Sequence, residues 1–68
     1  MKLPNLEINY IDLYKAQQEG TLLFAKCGRT GKELRFTLLG TVRIYLNGEI
    51  IAEFVDLSKA VKFFNDIN

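Results

Sequence analysis

The stretch Thr41-Val42-Arg43-Ile44-Tyr45-Leu46-Asn47-Gly48-Glu49-Ile50-Ile51-Ala52-Glu53-Phe54-Val55 decides the fold. Asn-Gly between two apolar-rich runs is a hairpin signal, and side chains alternate faces along a strand. The even positions Val42, Ile44, Leu46, Ile50, Ala52 and Phe54 form the expected inward set. Leu22, Phe24, Leu34, Phe36 and Leu38 continue the same parity toward the N-terminus. The parity therefore predicts one sheet with one apolar face. A two-residue turn at Asn47-Gly48 would set Leu46 against Glu49 and Val42 against Glu53. An odd-length loop with a glycine bulge keeps apolar residues opposite one another, and that is the expected geometry.

Working outward, strands are expected at about residues 21–27, 33–39, 41–46 and 49–55. The first pair is joined by the turn Gly28-Arg29-Thr30-Gly31-Lys32. Around Gly40 the parity allows one long bent strand or a three-residue hairpin loop, and the more compact core favours the hairpin. Asn9 and Asp12 predict the start of a helix over about residues 10–19, ended by Gly20. Its shared face would be Tyr10, Leu13, Tyr14 and Gln17, and Leu6 and Ile8 would form a short extended lead-in.

Asp56 caps the clearest helix, about residues 57–67, whose stripe is Leu57, Ala60, Val61, Phe64 and Ile67. Ser58, Lys59, Lys62, Asn65 and Asp66 take its other side, with Lys62 and Asp66 one turn apart. The expected class is α+β. A four-stranded antiparallel meander carries an N-terminal helix and a C-terminal amphipathic helix packed on the sheet, in a single domain of residues 1–68.

A chain of 68 residues buries only about 60% of its unfolded surface, yet 49% of this one is hydrophobic. Either the core is dense or some apolar surface meets a partner. The formal charge of +1 supplies no field to recruit nucleic acid or acidic lipid, and it argues against a DNA mimic. Cys27 is the single cysteine, which fits a reducing cytoplasm. Pro4, Asn5 and Glu7 interrupt any signal-peptide core, and no apolar run reaches membrane-spanning length. A cytoplasmic protein with no membrane partner is expected.

Chemistry is scarce. With no histidine and one cysteine, neither a zinc set nor an imidazole-activated nucleophile can be built. The carboxylates are scattered, so no acid–base pair stands out. The chain is not expected to be an enzyme, and no catalytic residue, metal, cofactor or small-molecule substrate is expected.

The 28–32 turn is not a Walker loop. Two residues separate its glycines instead of four, Glu33 replaces the hydroxyl, and a strand follows. It is similar to the GXXG loop of KH domains, although strands flank it here. A basic hairpin tip results, with Arg29, Lys32 and the glycine amides available to a phosphate.

The odd-numbered, outward face is about half apolar, too greasy for a freely solvated one. Three explanations stand: the N-terminal helix lies across it, a second copy covers it, or it meets a protein or nucleic acid. The partner-binding candidates are Arg35, Leu39, Arg43, Tyr45 and Ile51; the nucleic-acid alternative uses Arg29, Lys32, Arg35 and Arg43.

The stretch Thr41 to Phe54, followed by Leu57 to Asn65, resembles the final hairpin and helix of the arm-binding domains of phage-type integrases. That resemblance implies DNA reading by a sheet backed by a helix and would nominate Arg35, Arg43 and Tyr45. The basic density and tryptophans of such domains have no match here. The expected function is a small interaction module that self-associates as a homo-oligomer or binds a protein partner. Nucleic-acid binding is the alternative. Autonomous chains of this size are common on mobile elements.

Overall fold

In a computed structural model, which describes residues 7–67, the chain runs α1 (Tyr10–Gln18), β1 (Leu23–Lys26), β2 (Lys32–Phe36), β3 (Val42–Leu46), β4 (Glu49–Phe54) and α2 (Leu57–Asp66). The strands form one antiparallel sheet in the order β1-β2-β3-β4, the expected meander. Capping follows the sequence. The Asn9 side chain accepts the Asp12 N–H, and Asp56 accepts those of Ser58 and Lys59. The Gly20 and Thr21 amides donate to Gln17 and Ala16, closing α1 with a Schellman turn.

The expected odd loop between β3 and β4 is not used. Asn47 and Gly48 take φ of 52° and 85°, and Leu46 pairs directly with Glu49 across a two-residue turn. Such a mirror-type turn matches the right-handed twist of the strands it joins. Parity is then repaired inside β4. Tyr45 pairs with Ile50 and Ile44 with Ala52, leaving Ile51 as an extra, bulged residue. Val42 consequently meets Phe54, and Ile50, expected inward, sits opposite outward Tyr45 and is exposed.

A second bulge lies in β1, where Leu23 faces Arg35 and Ala25 faces Leu34. Ala25, expected outward, therefore packs against the core together with Phe24. Leu22 and Leu38 are also corrected: both are exposed, because β1 begins after Leu22 and β2 ends at Phe36. Leu38, Leu39 and Gly40 form the three-residue loop, with the Thr37 N–H donating to Thr41 O at 2.9 Å.

The core joins Leu13 and Ala16 of α1 with Leu34, Phe36, Val42, Ile44, Ala60 and Phe64. Each large apolar side chain buried here stabilises the fold by about 1.5–3 kcal/mol. Both helices thus lie on the same side of the sheet; α1 packs chiefly on α2, and α2 on β3 and β4. The N-terminal helix does not cover the outward face. Tyr10 and Tyr14, expected beside Leu13, are half-exposed and stack on each other at 6.2 Å, while Ala16 takes the inward position.

Asn65 also departs from expectation. Its side-chain amide accepts the Ile8 N–H and donates to Ile8 O, both at 2.8 Å, so it fastens the segment before α1 to α2. Leu6, the other residue of that lead-in, lies outside the described residues. No helix among the described residues is long and apolar enough to cross a membrane.

Gly31 closes the β1–β2 loop against the β3–β4 turn, its carbonyl accepting the Asn47 N–H at 2.8 Å. At φ +74° a Cβ there would come within 2.0 Å of Asn47 Oδ1. In urea denaturation, Gly31→Ala is expected to cost about 1–3 kcal/mol. Gly28→Ala, whose Cβ would meet nothing within 4 Å, is expected to change stability by less than about 0.5 kcal/mol.

Candidate functional site

With both helices on one side, no helix among the described residues covers the other side of the sheet. Its central row brings Arg35 directly opposite Arg43, an unfavourable like-charge pair on its own. Each guanidinium has its own carboxylate: Arg35 pairs with Glu33, two residues back on β2, and Arg43 Nε donates to Glu53 Oε1 at 3.3 Å across to β4. Glu33 holds the Arg35 pKa above its ordinary value. Glu53 does the same for Arg43, aided by the Tyr45 hydroxyl.

The network continues through threonine. Thr37 and Thr41 hydroxyls lie 2.7 Å apart, and Thr41 Oγ1 donates to Glu53 Oε2 at 2.7 Å. That hydroxyl, more than Arg43, draws the Glu53 pKa below the usual carboxylate value. The polar groups of this face are thus spent on one another. They pair both arginines with carboxylates of the same face, although each side chain remains partly in water.

Beside them lies an open hollow of about 440 Å³, lined by Leu22, Leu38 and Leu39 together with Arg35, Arg43 and Tyr45. The partner-binding candidates therefore gather here, all but Ile51, which sits at the β4 bulge on the sheet edge. At the hollow's rim the β2–β3 loop holds two leucines in water, Leu38 94% and Leu39 88% exposed. Leu22 and Leu38 were missed as surface residues because parity assigned them inward. Counting a three-residue loop back from Thr41 would have placed Leu38 at the tip.

The basic candidates are not brought together as a tip. Lys32 lies in β2, fully buried: Nζ donates to Phe64 O at 2.8 Å and Ile67 O at 3.3 Å and sits 4.3 Å from the Phe64 ring centre. Burial pushes its pKa below the ordinary amine value, against a weaker pull upward from Cys27 and Glu7. Of the two basic side chains proposed there, only Arg29 stays on the 28–31 loop, and the Gly31 amide donates to Cys27 O at 2.9 Å. Cys27 is half-buried beneath that loop. The Thr30 hydroxyl, with the Thr30 and Arg29 amides, holds its pKa below the usual thiol value, and Lys32 contributes least.

Two outcomes follow from these contacts. Lys32→Ala should lower unfolding stability by about 2–4 kcal/mol in urea, because it empties packed volume and strips two helix carbonyls of a charged donor. Lys32→Met, which keeps the stem, should cost less. Glu53, whose folded pKa is depressed, stabilises the fold fully above its unfolded pKa and loses that contribution as pH falls through the folded value. In an NMR titration, Thr41→Val should move the Glu53 midpoint upward toward the ordinary carboxylate value. No family model, curated protein or solved structure matches the chain, and the geometry of this face carries the functional reading.

Proposed function

We propose that the protein is a non-enzymatic interaction module that docks a protein partner on the outward face of its sheet. The observation that carries this reading is the gathering of Arg35, Leu39, Arg43 and Tyr45 around one hollow on a face that neither helix covers. Tyrosine and arginine are favoured at contact centres, where a large side chain excludes water at low entropic cost. Here the carboxylates and threonines already hold the arginines in place, so little ordering remains to be done on binding. The lone cysteine fits action in a reducing cytoplasm.

Nucleic-acid binding has less to draw on. Lys32 is buried, and Arg35 and Arg43 would each have to leave a carboxylate to reach a phosphate. Counterion release scales with the cations that do reach phosphates, so the affinity available is small.

The test is capture from the source cell on the tagged full chain, with Arg43→Glu and Tyr45→Asp as controls and circular dichroism to verify their folding. Both variants are expected to lose the protein held by the wild type, by tenfold or more in recovered amount if they sit at a contact centre. Equal recovery on all three baits would overturn the assignment of this face.

A further inference from the structure

We propose that the occupant of this face is a second copy of the chain, related by a twofold axis, with the Leu38-Leu39 tip of each copy seated against the hollow of the other. This inference rests on the docking face proposed above and adds the identity of its partner.

Charge is the first argument. The face carries Glu33 and Arg35 on one strand and Arg43 and Glu53 across the next pair, so positive and negative groups are balanced and alternate. A strongly acidic or basic partner requires a face of one sign. A balanced one is compatible with a copy of itself, because each arginine keeps its own carboxylate and neither copy brings an excess of like charge. An isologous contact needs that property.

Shape is the second. An isologous contact also requires that each copy present both the projection and its socket. Leu38 and Leu39 project 94% and 88% exposed from the rim of the hollow that would receive them, so knob and socket lie side by side on one surface.

The third is the state of the sheet edges. Self-association of small sheets otherwise runs edge to edge. Both edge strands here carry a bulge, at Phe24 in β1 and at Ile51 in β4, and a bulged edge is a poor template for another strand. Edge-to-edge pairing is thereby disfavoured relative to a contact through the face. A standard contact takes about 800 Å² from each partner, roughly a sixth of this chain's 4753 Å², which one face of a two-layer molecule can supply.

The experiment is velocity sedimentation of the full chain from micromolar to millimolar concentration, for the wild type, Leu38→Asp/Leu39→Asp and Tyr45→Asp. The tip leucines touch little in the monomer, so their replacement leaves the fold intact, which far-ultraviolet circular dichroism verifies. The expected result is a wild-type dimer whose dissociation constant rises on the order of 100-fold in the tip variant. A wild type that stays monomeric throughout overturns the second copy. The docking face itself then survives if Tyr45→Asp still loses a captured protein. A dimer indifferent to the tip and to Tyr45→Asp places self-association elsewhere and overturns the second copy as the occupant of this face, with the docking face again judged by the capture experiment.

Discussion

A buried ammonium joins the two layers of this fold. Lys32 opens β2, yet its side chain runs beneath α2 and donates to the carbonyls of Phe64 and Ile67, where the helix dipole presents its negative end. Taking a lysine out of water is costly, and the direction of its pKa shift records that cost. The charged hydrogen bonds and the Phe64 ring offset it. Held at its end by Lys32, and tied to Ile8 through Asn65, α2 cannot leave the inward face of the sheet. Among the described residues, no helix lies on the opposite face.

Strand register is settled by a competition between turn and packing. Asn47-Gly48 favours the tight two-residue turn strongly enough to impose it, although that turn alone would set Glu53 against Val42. The mismatch is absorbed at Ile51, one residue that leaves the ladder so that Ala52 and Phe54 fall on the core side. The bulge at Phe24 does the same for β1. Each bulge also disrupts an edge strand, so the repair of packing doubles as protection against edge-to-edge pairing.

On the bare face, electrostatics sets what can bind. Opposed arginines would repel, and the carboxylates of Glu33 and Glu53 neutralise them in two separate pairs, with threonine hydroxyls extending the one at Glu53. Such a surface recruits nothing at long range, in keeping with a net charge of +1. In the proposed docking, attraction is short-ranged and comes from Tyr45 and the leucines around the hollow. That balance of charge is why we propose a partner of similar mixed character over a large, uniformly charged polymer.

Local signals carried much of the architecture in the sequence. Asn9, Gly20 and Asp56 bound the helices through backbone hydrogen bonds with near neighbours, and the alternation through Leu34, Phe36, Val42 and Ile44 identified the core face of the two central strands. Arg35, Arg43 and Tyr45 were legible as outward residues for the same reason, since parity holds wherever a strand is regular, whereas Leu39 is exposed because it lies in the β2–β3 loop. Tertiary structure decided the rest. It buried Lys32, drew Asn65 inward, turned Ile50 out and left Leu22 and Leu38 in water, because bulges, strand ends and helix placement depend on which distant groups need a partner. A short stretch of chain can report the preference of its own backbone. It cannot report which carbonyls, at the far end of the molecule, will claim a lysine.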